Sequence, residues 1–147
     1  MKGAGGDNIL LWKSGTIGAE SFRVSLDLTF NEEHTNGALK LALLCANQTA
    51  SADRLQIRLV QAPASSKQQW VGIQRGDGGN KDSCMASADY PWKAGKTYGI
   101  DVEFTKTAIT LYIDAEQVLT FQADAAHSWS DLAQGWFAIR SQFPNQD

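Results

Sequence analysis

The sequence predicts an all-β chain, a single antiparallel β-sandwich. Three observations predict it. Apolar and polar residues alternate through nearly every segment, the period-two pattern of half-buried strands. The strands this implies are short, regularly spaced and separated by turn residues, as in sandwiches and barrels. No stretch carries apolar residues at the helical period over an ordinary helix length. With 147 residues, 43% of them hydrophobic and 20% charged, the chain can bury one core and lacks the composition of a disordered segment.

The elements follow in order. Met1-Lys2-Gly3-Ala4-Gly5-Gly6 opens residues 1–7, which read as a flexible or vector-derived start; residues 8–147 read as the domain. No long apolar region follows Gly6, so no signal peptide is read there. Ile9-Leu10-Leu11-Trp12 reads as core or edge packing. Phe22, Val24, Leu26, Leu28 and Phe30 alternate with Arg23, Ser25, Asp27 and Thr29 in a long half-buried strand. Asn31 to Gly37 reads as a loop. Leu39, Leu41, Leu43 and Cys45 form the next apolar face, opposite a row of low bulk: Ala38, Lys40, Ala42, Leu44 and Ala46.

Leu55, Ile57 and Leu59 face inward and Arg54, Gln56 and Arg58 outward. Pro63 to Lys67 turns the chain into a strand at Gln69 to Arg75. Gly76 to Trp92 reads as a long loop with a short strand near Cys84-Met85-Ala86. Tyr98, Ile100, Val102 and Phe104 pair with Ile109, Leu111 and Ile113 through the turn Thr105 to Ala108. Asp114-Ala115 turns into a strand at Gln117 to Phe121. Ser128 to Leu132 reads as one helical turn, and Trp136 to Phe143 as the last strand.

Gln69-Trp70-Val71-Gly72-Ile73-Gln74-Arg75 is the most informative stretch. Val71 and Ile73 point to the core, and Trp70, Gly72 and Gln74 point away from it. A flat ring, a gap with no side chain and an amide in one row suit a sugar: the indole stacks, the glycine leaves room, the amide bonds hydroxyls. A tryptophan under a loop beside a bulge glycine fits the same residues.

Composition excludes several classes. The formal charge of −3 and a pI of about 5.3 argue against a nucleic-acid partner, which calls for a basic stripe. No apolar run nears the roughly 20 residues of a membrane helix, so no membrane partner is expected. Cys45 and Cys84 are too few for a disulfide framework; one bridge or two free thiols both fit. His34 and His127 stand alone in loops, with no partners for a catalytic triad or a zinc site. Asn47-Gln48-Thr49 matches a glycosylation triplet that chance often produces.

The second half carries a resemblance. Lys93-Ala94-Gly95-Lys96-Thr97-Tyr98-Gly99-Ile100-Asp101-Val102-Glu103-Phe104, then Ile109-Thr110-Leu111-Tyr112-Ile113-Asp114, then Gly135-Trp136-Phe137-Ala138-Ile139-Arg140-Ser141, resembles the concanavalin A-like jelly roll. That superfamily includes laminin-G-like domains, legume-lectin-like domains and many carbohydrate-binding modules. The long strand at Ser21 to Phe30 and the strand at Gly37 to Cys45 agree with its first half. Ala115 departs from the pattern, standing where the family has a turn glycine, so a different turn type is expected there.

The resemblance implies two stacked curved sheets with a glycan on the concave outer face. Trp70 and Gln74 would then lie beside Gln56 and Arg58, flanked by Lys40 and by Trp136 and Arg140 of the last strand. Trp70 and Trp136 would stack on sugar rings; the amides and guanidinium groups would bond hydroxyls or a uronate. Trp92 reads as a plug at the rim of the core and Trp129 as a cap over one end of the sandwich. No cofactor is expected. A structural calcium, common on this scaffold, would draw on Asp77 to Asp82, whose oxygens lack EF-hand spacing.

The function expected is therefore noncatalytic polysaccharide binding, with a plant cell-wall β-glucan such as xyloglucan favoured and acidic glycans second. The expected setting is an extracellular monomeric module covalently linked to a glycoside hydrolase. A laminin-G-like protein-interaction or adhesion domain is the alternative, and a glycanase or polysaccharide lyase the third reading. Against catalysis, no E-x-D-x-E strand occurs, and Asp101 and Glu103 read as an outward hairpin face. Gln56-Ile57-Arg58 has arginine where alginate lyases of this fold have histidine, and Tyr90 to Gly95 only faintly echoes their Y-x-K-A-G segment.

Overall fold

A computed structural model describes residues 6–11, 17–18, 21–31, 37–45, 53–61, 69–77, 82–129 and 134–143. Trp12, His34, the Asn47 triplet, the turn at 63–67 and the helical turn expected at 128–132 past Trp129 lie outside the described residues. So do 78–81 of the calcium-candidate loop.

The strands are β1 (Gly6–Leu11), β2 (Ile17–Gly18), β3 (Ser21–Thr29), β4 (Gly37–Cys45), β5 (Asp53–Gln61) and β6 (Trp70–Asp77), then β7 (Asp82–Asp89), β8 (Thr97–Thr105), β9 (Ala108–Ile113), β10 (Glu116–Gln122) and β11 (Gln134–Phe143). They form two antiparallel sheets. One runs β1-β11-β4-β5-β6-β7, with β2 also paired to β11; the other runs β10-β9-β8-β3.

The core lies between them. Leu41, Leu55, Ile57, Leu59, Val71 and Ile73 of the larger sheet meet Ile100, Val102, Phe104, Ile109, Leu111 and Ile113 of the smaller one in a single buried cluster. These are the inward positions of the alternating pattern, because strand side chains switch faces at every residue. Burial of this apolar area is the main favourable term in folding.

Two of the three tryptophans expected to be structural, Trp92 and Trp129, are so; the third, Trp12, lies outside the described residues. Trp92 is buried against Phe30, Tyr90 and Tyr98 with ring centroids 5.3, 4.6 and 4.9 Å away. Trp129 is buried over Phe104 and Phe121, and its Nε1 donates to the Thr105 carbonyl at 3.3 Å.

Three local expectations are corrected. The loop read at Gly76 to Trp92 holds a full strand, β7, along Asp82–Asp89. Its alternation is interrupted by a bulge where Ile73 pairs with Ala86 but Gln74 with Cys84, and its small residues suit an edge strand. Leu44 was read on the outer row, yet it is buried and pairs with Leu55. A register shift between Ala42 and Leu44 inserts Leu43 as an extra residue, and both leucines enter the core.

The third correction is the Asp114-Ala115 turn. Both residues are left-handed, with φ of 53° and 67°. That is the primed geometry that matches the twist of a two-residue hairpin, adopted here without glycine. The turn is held by its neighbours: Asp114 Oδ1 accepts from the Gly99 amide at 2.9 Å, and its Oδ2 accepts from Lys96 Nζ at 2.7 Å.

The cysteines are also settled. Cys45 on β4 and Cys84 on β7 are separated by β5 and β6. Three strand spacings are roughly 14 Å, twice what a disulfide spans, and Cys84 is a free, exposed thiol.

Candidate functional site

The outer face of the larger sheet collects the residues singled out from the sequence. Register sets them in rows across the strands. One row runs Ala138, Ala42, Gln56, Gln74 and Cys84; the next runs Arg140, Lys40, Arg58, Gly72 and Ser87; the third runs Gln142, Ala38, Val60, Trp70 and Asp89. Gln56 and Arg58 thus stand beside Gln74 and Gly72, as the hairpin pattern predicts.

Trp136 pairs with Cys45 and Arg140 with Lys40. Along β11 these two alternate with Phe137 and Ile139, which pack on the core. The side chains of Trp136 and Arg140 lie outside the described residues.

This face is polar in composition yet shielded from water. Gln56 is 0% exposed, Gln74 4% and Lys40 7%, alongside the equally buried Ala38, Ala42 and Ala138. Buried polar groups need partners. Gln56 Nε2 donates to Gln74 Oε1 at 3.2 Å, and Gln56 Oε1 accepts from Arg54 Nε at 3.0 Å. Lys40 also has an interaction partner. The amide pair ties β5 to β6 beneath the surface.

Trp70 is half-buried, and its position explains Gly72. A Cβ on Gly72 would come within 2.5 Å of Trp70 Cζ3 and 3.1 Å of Cε3, and within 3.3 Å of the Ala86 carbonyl oxygen. The six-membered ring of the indole therefore lies over the backbone of Gly72. This corrects the sequence expectation: the gap at Gly72 seats the tryptophan itself rather than leaving space for a sugar. The guanidinium carbon of Arg58 lies 5.4 Å from the centre of that ring, a cation–π contact. Arg58 Nε is buried with no hydrogen-bond partner.

The arrangement is a flat aromatic shelf, a buried amide pair beside it, and cations on the same face. It can stack on an apolar ring face, with the Arg58 guanidinium beside the ring. Sequence reasoning missed the seating of Trp70 on Gly72. The signal was the i, i+2 spacing of a large ring and a glycine on one strand face.

The opposite sheet's outer face is built differently. Arg23 pairs with Asp101 at 3.1 Å and Glu103 at 3.7 Å, Tyr112 donates to Glu103 at 3.2 Å, and Ser25 donates to Asp101. The Arg23 guanidinium, then the Ser25 hydroxyl, hold the Asp101 carboxyl below the usual range. A shallow depression of about 240 Å³ lies there, lined by Ser25, Asp27, Gly99 and Asp101. Asp101 and Glu103 are thus tied up by an arginine.

Elsewhere, His127 is exposed and bonds Asp124 at 3.1 Å. Among the described residues no group of three or more His, Cys, Asp or Glu comes together as a metal site.

No protein-family model matches the chain, and no curated protein matches it in sequence. Solved structures do match in fold. The carbohydrate-binding module CBM66 from Bacillus subtilis superposes with a TM-score of 0.70 at 18% identity, covering 96% of this chain and 80% of that one. Sheep galectin-11, in a complex with glycerol, gives 0.62 at 8% identity, covering 95% and 93%. The CBM2 module of the evolved Dit of Lactobacillus casei BL23 phage J-1 gives 0.60 at 16%, covering 90% and 61%. At these identities the likeness is one of fold. The chain is accordingly an antiparallel β-sandwich with a jelly-roll fold.

Proposed function

We propose that this chain is a noncatalytic carbohydrate-binding module that holds a polysaccharide along the outer face of its larger sheet. The observation that carries the reading is the Trp70 indole laid over Gly72, half-exposed, beside the buried Gln56–Gln74 pair. A pyranose stacked on that shelf buries apolar area worth about 25 cal/mol per Å², and guanidinium donors bond its hydroxyls, often through water. Carbohydrate-binding modules among the fold neighbours support the reading.

Plant β-glucans such as xyloglucan suit a flat shelf, since equatorial substituents leave the ring face clear for stacking. Trp136 is proposed as a second stacking residue and Arg58, Arg140 and Lys40 as donors, with the buried Gln56–Gln74 pair holding β5 and β6 beneath them. The module is proposed to be secreted and linked to a glycoside hydrolase, whose effective substrate concentration it raises without chemistry. Micromolar or weaker affinity fits a shallow face that buries little ligand area. The galectin likeness, with 93% of that chain covered, favours a second reading as a lectin for short oligosaccharides.

Affinity gel electrophoresis tests this against xyloglucan, mixed-linkage β-glucan, xylan, galactomannan, pectin and alginate, with Trp70→Ala and Trp136→Ala in parallel. Retardation of the wild type that a folded Trp70→Ala loses is the expected result. A well-folded wild type that no polymer or oligosaccharide retards overturns the reading in favour of a protein-interaction domain.

A further inference from the structure

One row of the proposed face is chemically unusual. Register places Arg140, Lys40 and Arg58 directly opposite one another on the adjacent strands β11, β4 and β5, with Gly72 next in line on β6. Strand spacing puts their backbones roughly 5 Å apart. Like charges directly opposite across a sheet repel. The whole chain carries a net charge of −3, so this is a local concentration against the overall balance. The carboxylates that share this face by register, Asp7, Asp82 and Asp89, sit in other rows on the edge strands β1 and β7.

Small residues flank this row along β4 and β11. Ala38 and Ala42 flank Lys40 along β4, and Ala138 precedes Arg140 on β11. Lys40 is held in a largely buried site, where a charge is costly and its interaction with an ion is screened less than in open water. Arg58 leans toward the Trp70 ring with its Nε hydrogen buried and unused. Arginine presents its donors as a planar fork that matches an oxyanion.

We propose that this row is an anion subsite, and that the glycan bound on the Trp70 shelf carries an anionic substituent, a carboxylate or a sulfate ester. The inference rests on the reading of this face as a glycan site and puts an acidic glycan ahead of the neutral glucans as its preferred ligand. The ring stacks on the exposed part of the indole while its charged group reaches past it toward Arg58 and Lys40. Neutral glucans would use the shelf alone.

Titration calorimetry on the whole chain tests this with polymers matched in backbone. Polygalacturonate is compared with its fully methyl-esterified form, and a sulfated galactan with its desulfated form, in about 20 mM and about 500 mM NaCl. Xyloglucan is the neutral control. The expected result is at least roughly tenfold tighter binding to one charged polymer than to its neutral counterpart, weakened at high salt. Which pair shows the preference tells carboxylate from sulfate.

Arg58→Gln is expected to erase the preference, and Arg58→Lys to restore part of it. Equal, salt-insensitive binding of charged and neutral partners overturns the anion subsite and leaves the glycan site standing. Binding to no polymer at either salt overturns both. The esterification and salt arms use the wild type alone, so a variant that fails to fold does not blunt the test.

Discussion

The two outer faces of this sandwich use similar residue types to opposite ends. On the smaller sheet, Arg23 is closed off by Asp101 and Glu103, and Tyr112 completes the set. Thr29 meets Thr97 at 2.8 Å and Thr110 meets Thr120 at 3.0 Å. Cross-strand partners there satisfy one another in water, which is how a half-solvated sheet stabilises itself. On the larger sheet, arginine and lysine line one row, amides are buried, and an indole covers a glycine. A face that exists only to meet water has no need to bury Gln56 or leave Arg58 Nε without a partner. Under the proposed function, the difference separates a stabilising surface from a binding surface within one fold.

The sharpest way to break this contrast is to compare two tryptophans. Trp129→Ala removes a buried ring that joins Phe104, Phe121 and the Thr105 carbonyl. It should cost about 3–5 kcal/mol of stability by urea denaturation. Trp70→Ala, at a half-buried site, should cost about 1–2 kcal/mol and abolish glycan retention. Equal stability losses with retained binding would make Trp70 a structural residue. Gly72→Ala should act through Trp70: the added methyl displaces the indole, shifts tryptophan fluorescence and weakens retention, with a stability loss of about 1 kcal/mol.

Smaller effects belong to the other sheet. Ala115→Gly relieves a left-handed alanine and should stabilise the protein by about 0.5–1 kcal/mol in thermal unfolding. Acid should act through the same sheet. Lys96 and the Gly99 amide hold the Asp114 carboxyl below its ordinary range, as Arg23 and Ser25 do for Asp101. The backbone amide of His127, with that of Ala126, does so for Asp124.

A lowered folded pKa contributes stability in full above about pH 4, where the unfolded carboxyl is ionised. That contribution is lost as pH falls through the lower folded value. Asp114→Asn should therefore flatten the fall of Tm between about pH 4 and pH 2 while leaving glycan binding near neutrality unchanged. A wild-type Tm that does not fall on acidification would contradict this.

Much of the fold was legible because each sheet has a dry side and alternation reports it directly. β3, the β8–β9 hairpin and the β5–β6 pairing all follow from apolar residues two apart. Legibility failed where one inserted residue shifts the period. Leu43-Leu44 reads as a strand with a stray outward leucine until the bulge turns both inward. β7 is legible only as a short strand near Cys84-Met85-Ala86, because Ala86, Ser87 and Ala88 carry little contrast between faces and a bulge breaks their phase.

The site was legible as a row of residue types on one strand. What Gly72 makes room for was not, because the i, i+2 spacing of Trp70 and Gly72 fits both an indole folded onto the glycine and an indole standing clear of it. The alignment of Arg140, Lys40 and Arg58 depends on pairing strands distant in the chain, and β11 beside β4 is a crossover no local pattern announces.

The central claim is that the larger sheet's outer face holds the ligand. Amide chemical-shift mapping of the labelled chain, titrated with an oligosaccharide cut from whichever polymer retards it, tests this most directly. The account predicts perturbations clustered at Lys40, Arg58, Gly72 and Gln74, with Arg23, Asp101, Glu103 and Tyr112 unmoved. Perturbations centred on the Arg23–Asp101 face, with the Trp70 strand silent, would contradict it.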